Sequence, residues 1–436
     1  MKPSRYNHFF SYSDAQSIAY NARSNSLALI EKENLEAYND FCEHGKKLPS
    51  ELADNLKKGF FVIEDFVDEL ESLQFTMLQS RYNTQYLGLT LAPTNDCNFA
   101  CTYCYEKNTL SSKYMSQEVQ DKIVEMLESR KKVISHFSVA WYGGEPLMAF
   151  DVVESLSKRL IEICNENDIT YSAFMISNGY LLSRDILLKL PELEIKSMQI
   201  TIDGTEEVHN RNRPLIDGSK TFDTIIKNLI NNYDVIPKIS LRINVDKSNV
   251  DAGRDIYQLL KENSILEKIT PYYGMIHNME DREDDGCLRT CDFAEISYDF
   301  ANKSSDKSQH NIVQYPSLKS NYCGADRLGG YLIDAEGYLY KCWHDLGVPD
   351  KRIGSLVKKD YHPINNTYFE YMLFDPTLKE PCKDCNLLPV CMGGCPSMRL
   401  TGNVEKCTNH KYVLEKCLLN ATASIKAKRE TAKSNS

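Results

Sequence analysis

Cys97-Asn98-Phe99-Ala100-Cys101-Thr102-Tyr103-Cys104 is the stretch on which the reading of this 436-residue chain turns. Three thiols at the spacing C-x3-C-x2-C can ligate three irons of a cubane and leave the fourth iron without a protein ligand. The spacing alone also fits a zinc site with a distant fourth ligand. The motif follows directly on the strand-like run Tyr86 to Leu91. Further runs of the same kind come at Phe137 to Trp141, Ala173 to Ser177, Met198 to Ile202, Ile239 to Val245 and Ile269 to Met275. Helical patterns lie between them at Ser116 to Lys131, Val152 to Cys164, Thr221 to Asn232 and Ala252 to Glu262. Repeated strand-helix units predict an α/β fold with a parallel sheet, and six units make an open, partial (β/α)6 TIM-like barrel. Active sites of such barrels gather at the C-terminal ends of the strands, where the cysteine motif falls.

Outward from the barrel, residues 1 to 85 alternate short strands and helices: a strand at Asn25 to Ile30, helices at Lys32 to Cys42 and Ser50 to Lys57, a strand at Phe60 to Ile63, then helical Glu64 to Leu78. This suits a small winged-helix unit, and without a basic surplus a peptide is the favoured ligand over DNA; a plain packing extension is the alternative. The acidic run Glu280, Asp281, Glu283, Asp284, Asp285 reads as a solvated linker, and residues 286 to 420 as a cysteine-rich third domain. Residues 421 to 436 read as a frayed polar tail. The domain boundaries are thus 1-85, 86-285, 286-420 and 421-436.

A 42% hydrophobic content is enough for a large core, and a formal net charge of -10 argues against coating nucleic acid. No secretion signal and no apolar run long enough for a bilayer is present, so a cytoplasmic protein without membrane contact is expected. In a reducing compartment, fifteen cysteines point to metal or cluster ligation over disulfides. Cys42 and Cys164, alone in helical segments, are expected to be packing residues.

The octapeptide at 97 to 104 resembles the cysteine motif of the radical SAM superfamily. That resemblance implies that Cys97, Cys101 and Cys104 hold a 4Fe-4S cluster. The amino and carboxylate groups of S-adenosylmethionine would bind its open iron, and electron transfer into the sulfonium would yield a 5'-deoxyadenosyl radical. Gly143-Gly144-Glu145-Pro146 looks like the family's turn beside the methionine amino group, with Glu145 able to accept from an ammonium. Ser177-Asn178-Gly179 is similar to the segment expected near the ribose, and Thr201-Ile202-Asp203-Gly204 to the turn after the fourth strand. Arg242 is a candidate carboxylate partner. His209 and Arg213 resemble a segment following Asp-Gly in relatives, with structural bonding and substrate contact both open.

The second cysteine set is Cys323, then Gly337-x4-Cys342, then Cys382-x2-Cys385-x5-Cys391-x3-Cys395, Cys407 and Cys417. It resembles the SPASM extension, which implies two auxiliary 4Fe-4S clusters; zinc knuckles are the alternative. By the family's wiring, Cys323, Cys342 and Cys395 share one cluster. Cys382, Cys385 and Cys391 share the other with Cys407, or alternatively Cys417. Cys287 or Cys291 is available to complete the first.

These resemblances together imply a peptide maturase that binds the leader of a ribosomal precursor peptide through residues 1 to 85. It would draw electrons from an external donor such as flavodoxin or ferredoxin and install an oxidative crosslink, first of all a Cys thioether. Carbon-carbon crosslinking to a cyclophane is the runner-up. An anaerobic sulfatase-maturating, formylglycine-forming enzyme is a further alternative, although the Asp expected after the cysteine of G-x4-C is Trp343 here, with His344 and Asp345 beyond. A non-catalytic iron-sulfur redox regulator is the last.

Overall fold

The computed structural model describes residues 1–276, 286–304, 313–362, 366–400 and 407–434. The chain forms two compact units, one of Met1–Arg81, Arg289–Cys323 and Phe374–Ser436, the other of Tyr82–Leu288 and Gly324–Leu373. The units group the chain differently from the four consecutive segments read from the sequence, because residues 324–373 fold with the barrel segment and residues 374–436 with the N-terminus.

The first unit opens with β1 (Lys2–Pro3), β2 (Asn7–Ser11), β3 (Gln16–Asn21) and β4 (Ser26–Glu31), followed by α1 (Lys32–His44), α2 (Ser50–Lys58), β5 (Val62–Ile63) and α3 (Glu69–Arg81). β2, β3 and β4 make an antiparallel sheet and β1 pairs with β5. The sequence reading had no strand before Asn25, for a physical reason: Ile18, Ala19, Tyr20 and Asn21 of β3 are all buried, so β3 lacks the alternation that marks a strand. α3 begins at Glu69, later than expected, where the Asp68 carboxylate accepts from the Leu70 and Glu71 amides at 2.9 and 3.0 Å. Cys42 is exposed on α1, which corrects its expected packing role; Cys164 is buried as expected.

The second unit carries β6 (Tyr86–Leu91), α4 (Gln117–Glu128), β7 (His136–Trp141), α5 (Phe150–Glu166), β8 (Thr170–Ser177), α6 (Arg184–Lys189) and β9 (Ile195–Thr201). It continues through α7 (Glu206–Asn212), α8 (Phe222–Asn231), β10 (Lys238–Val245), α9 (Ala252–Glu262) and β11 (Ile269–Met275). Each of β6 to β11 pairs in parallel with the next, giving the expected six-stranded partial barrel. Parallel pairing brings all six C-terminal ends to one edge, and each strand hands its following loop to the same side. The acidic run lies outside the described residues.

Thr290–Ser304 forms α10 in the first unit. β12 (Gly330–Ile333), β13 (Tyr338–Tyr340) and β14 (Gly354–Ser355) then extend the barrel sheet, β12 lying parallel to β6. A Cβ on Gly329 would stand 2.1 Å from the Tyr86 carbonyl oxygen, so a glycine is what lets the chain reach β6. α11 (Thr367–Leu373) completes this unit. The first unit resumes with α12 (Leu388–Cys391), α13 (Pro396–Leu400) and α14 (His410–Ser434). The expected frayed tail is thus corrected. Leu414, Leu418 and Ala421 recur at helical spacing and are buried, and apolar contact with the body of the unit holds α14 folded to Ser434.

Candidate active site at the C-terminal edge of the barrel

The cysteine loop is fixed by backbone pairing to the segment after α7. The Ala100 amide donates to the Pro214 carbonyl at 2.9 Å, Thr102 to Asn212 at 2.9 Å, and Ile216 to Asn98 at 3.1 Å. On its other side the Glu145 amide donates to the Asp96 carbonyl at 2.8 Å. Gly144 packs so tightly there that a Cβ would lie 2.0 Å from the Asp96 oxygen, while Gly143 holds φ +101. These two glycines let the turn after β7 press against the loop carrying Cys97.

Cys97, Cys101 and Cys104 line a cavity of about 270 Å3 together with Gly143, Gly144 and Glu145. Ser177, Asn178 and Arg242 line it as well, from β8 and β10. Burial pushes all three thiols up, Cys104 to about 11. A cationic metal centre reverses that preference, because ligation favours the thiolate. Among the described residues no three of His, Cys, Asp or Glu converge on a single metal ion; the three thiols border a space, as a multi-iron centre requires.

Glu145 is buried and satisfied from within the chain. Its carboxylate accepts from the Leu147 amide at 3.0 Å, the Ser177 hydroxyl at 2.9 Å and the Asn178 amide at 2.7 Å. Those bonds tie the loop after β7 to the loop after β8, and Pro146 starts a short 3-10 turn whose fixed φ suits that position. Asn178 reaches on to Asn98 at 2.8 Å. Ser177 and Asn178 therefore act as cross-links of the cavity wall.

Asp203 is fully buried behind the wall, where it accepts from the Tyr103 hydroxyl at 2.8 Å. Burial pushes its carboxyl up to about 6, opposed by the Arg213 guanidinium. His209 is buried too. One ring nitrogen takes the Asp203 amide at 3.2 Å and the other meets the Thr221 hydroxyl at 3.1 Å, while burial holds the ring neutral. Of the two roles open for His209, the geometry supports the structural one.

Sequence reading singles out Arg213 and Arg242 but not Asn244, Glu106, Tyr142 or the part played by Tyr103. The Tyr103 hydroxyl gathers Asp203, Arg213 Nη1 at 2.9 Å and Asn244 Nδ2 at 2.9 Å, joining residues 141 positions apart. Arg213 stacks 5.6 Å over Phe99, and its buried Nε has no hydrogen-bond partner among the described residues. An orphaned cationic donor in a cavity bordered by three thiols fits an anionic group such as a carboxylate. Arg242 lies across Gly274 and donates to Asn244 at 2.7 Å. Glu106 is buried and takes the Tyr142 hydroxyl at 2.7 Å, and burial pushes it up to about 8. Proximity in sequence was the available signal, since Tyr105-Glu106 follow Cys104 and Tyr142 precedes Gly143.

In the first unit, burial pushes the Cys391 thiol up and the neighbouring Cys407, Cys382 and Cys385 thiols add to that push. Lys411 Nζ stands 3.7 Å from Cys407 Sγ. Cys417, in contrast, is packed among Ala294, Tyr298, Val313 and Val413, an apolar cluster between α10 and α14. Cys323 and Cys395 belong to the first unit and Cys342 to the second; Cys287 belongs to the second and Cys291 to the first.

Residues 91–260 match the radical SAM superfamily. Over 340 residues the chain is 24% identical to a cysteine-type anaerobic sulfatase-maturating enzyme of Clostridium perfringens, an alignment covering 72% of this chain and 90% of that one. It is 22% identical over 404 residues to the radical SAM cyclopropyl synthase TigE of Paramaledivibacter caminithermalis, covering 85% and 80%. The solved structure of native anSMEcpe with bound AdoMet superposes with a TM-score of 0.60 at 20% identity, over 78% of this chain and 100% of that one. Streptococcus suis SuiB bound to the precursor peptide SuiA gives 0.52 at 14% identity, over 92% and 96%. Both share the fold. With its three-cysteine loop at the C-terminal edge of the parallel strands β6 to β11, the chain carries a radical SAM domain over residues 91–260 and is an enzyme whose cofactors are a 4Fe-4S cluster and S-adenosylmethionine.

Proposed function

We propose that the chain matures a ribosomally made peptide, binding its leader through residues 1 to 85 and joining a Cys sulfur to a carbon of the core. The carrying observation is a cysteine-lined cavity in the second unit together with a peptide-sized recess among the N-terminal residues of the first. That recess measures about 520 Å3 and is lined by Phe60, Val62, Ile63 and Val67. SuiB, whose structure with a precursor peptide spans nearly the same length, supports the reading.

Cys97, Cys101 and Cys104 would hold the cluster, and Arg213 and Arg242 would meet the cofactor carboxylate. When bound, the cluster and S-adenosylmethionine supply a 5'-deoxyadenosyl radical able to remove a hydrogen atom from carbon. The buried wall of Glu145, Ser177 and Asn178 holds the cavity shape, and the aromatic residues around Tyr142 exclude water. Forming the C–S bond removes one C–H and one S–H hydrogen, a two-electron oxidation. One electron leaves with the abstracted hydrogen atom, the thiol hydrogen leaves as a proton, and the remaining electron needs an acceptor, for which an auxiliary 4Fe-4S cluster that Cys382, Cys385, Cys391 and Cys407 would hold is proposed.

The neighbourhood of Cys382, Cys385, Cys391 and Cys407 supports the wiring in which Cys407 is the last ligand. Cys407→Ala is expected to lose the iron and sulfide of one cluster. Cys417→Ala is expected to keep them and to lose only about 1 kcal/mol of packing stability. Equal iron content in the two variants would reverse this assignment.

The reading is tested by anaerobic reaction of the iron-loaded chain with S-adenosylmethionine, reductant and a Cys-containing precursor peptide. The expected product has lost two hydrogens and no longer alkylates at Cys. The same mass loss with a free thiol would indicate a carbon-carbon bond, toward which the similarity to a cyclopropyl synthase points. Oxidation of a sulfatase peptide to formylglycine would move the function to that of the Clostridium relative. Against that outcome stands Trp343, an indole with no proton-accepting group, where an Asp is expected; Asp345 is turned into a bond from the Tyr371 hydroxyl at 3.0 Å.

A further inference from the structure

Trp343 sits on the cavity wall in a way that its neighbours fix from two sides. Its ring stacks on Tyr142 with centroids 4.9 Å apart and an interplanar angle of 22°. Its indole N–H donates to the Thr90 hydroxyl on β6 at 3.0 Å. Tyr142 is held in turn by its bond to Glu106 and by Tyr105, whose hydroxyl meets that of Tyr142. Tyr105 packs edge-on against His344 at 4.8 Å. The 3-10 turn Trp343–Asp345 is anchored through Asp345 to Tyr371.

A ring locked at one face and at its N–H still leaves surface: Trp343 is 37% exposed and Tyr105 beside it 39%, whereas Phe99 and Tyr142 of the same cavity are buried. That exposed surface borders the same cavity as the three thiols. A rigid, uncharged aromatic face recognises flat or C–H-bearing groups through dispersion and π contact, and repels nothing by charge. It offers no proton acceptor, so its contribution is geometric.

We propose that Trp343, braced by Tyr142, is the positioning residue for the peptide: the amide plane and Cα–H of the residue that loses hydrogen rest on the open indole face. This rests on the peptide reading above. Hydrogen-atom transfer tolerates little misplacement, so a substrate without its wall would let the cofactor be consumed without product. The role is therefore one of coupling and not of cofactor binding.

The chain has two tryptophans, and Trp141 is fully buried, which makes it an internal silent control. With the iron-loaded chain, S-adenosylmethionine and precursor peptide, two readouts are taken. One is the ratio of 5'-deoxyadenosine to crosslinked peptide; the other is oxidation of Trp343 by N-bromosuccinimide, read by mass spectrometry. At saturating peptide, Trp343→Ala is expected to raise the ratio about tenfold or more, and Trp343→Phe to restore most of the coupling. Peptide binding is expected to protect Trp343 in the unsubstituted chain. An unchanged ratio in Trp343→Ala, a Phe variant no better than Ala, or unprotected Trp343 beside a correctly crosslinked peptide overturns the inference alone. An unsubstituted chain that cleaves the cofactor but leaves the peptide unmodified overturns the peptide reading, and the inference with it.

Discussion

Gly144→Ala is expected to strip the barrel site of its iron and to reduce S-adenosylmethionine cleavage by more than tenfold. The added methyl would lie 2.0 Å from the Asp96 carbonyl oxygen and 2.5 Å from its carbon. Both are backbone atoms, so no side chain can swing away. Overpacking of this kind costs roughly 1–3 kcal/mol, and here the displaced backbone is the one that leads into Cys97. The bond from the Glu145 amide to Asp96 would be lost with it. Gly45→Ala is the matched control. Gly45 holds a positive φ, +67, which Gly144 does not, and among the described residues nothing lies within 4 Å of its added Cβ. That variant should lose about 1 kcal/mol of stability with iron content unchanged. Iron determination and thermal melting of both proteins check the pair, and equal iron loss in the two would remove the special role given to the turn after β7.

Arg213→Met is expected to weaken S-adenosylmethionine binding by roughly 10- to 100-fold, the loss of one charge-assisted hydrogen bond in a desolvated site. Arg213 is buried and bonded to Tyr103 at 2.9 Å, and its guanidinium Nε has no hydrogen-bond partner among the described residues. Methionine keeps the length and the contact with Phe99 and removes the donors. It also leaves Asp203 without its counter-charge, so some loss of stability accompanies the loss of affinity. Arg213→Lys, retaining charge without the fork, should fall between. Equilibrium dialysis with labelled cofactor separates affinity from turnover; unaltered affinity in Arg213→Met would assign the cofactor carboxylate to another cation, Arg242 being the next available.

The barrel was legible because parallel strands buried on both faces read as short apolar runs between amphipathic helices. The bounds expected for Ile269–Met275 and Ala252–Glu262 match those of β11 and α9. The three cysteines and the glycine turn were legible as well, since each motif is contiguous and the parallel sheet then carries them to one edge. What stayed hidden depends on contacts distant in sequence. Nothing local to Tyr103 announces that its hydroxyl will gather Asp203, Arg213 and Asn244. Nothing in Gly330–Ile333 announces that it will pair with β6, 242 positions earlier at Gly88, in place of joining the cysteine-rich segment that follows. β3 was missed because both of its faces are covered. The last helix was missed because its surface lysines and serines mask the apolar stripe of Leu414, Leu418 and Ala421. Glu145 is expected to accept from a ligand ammonium; the structure adds that its three bonds within the chain brace the site whose cavity it lines.

The most direct measurement is anaerobic incubation of the iron-reconstituted chain with S-adenosylmethionine and dithionite, followed by quantification of 5'-deoxyadenosine beside a Cys101→Ala variant. Formation of 5'-deoxyadenosine and methionine by the unsubstituted chain, falling to background in Cys101→Ala, is the expected result. A fully iron-loaded chain that forms no 5'-deoxyadenosine, or a Cys101→Ala variant that forms as much as the parent, would contradict a radical site built on Cys97, Cys101 and Cys104.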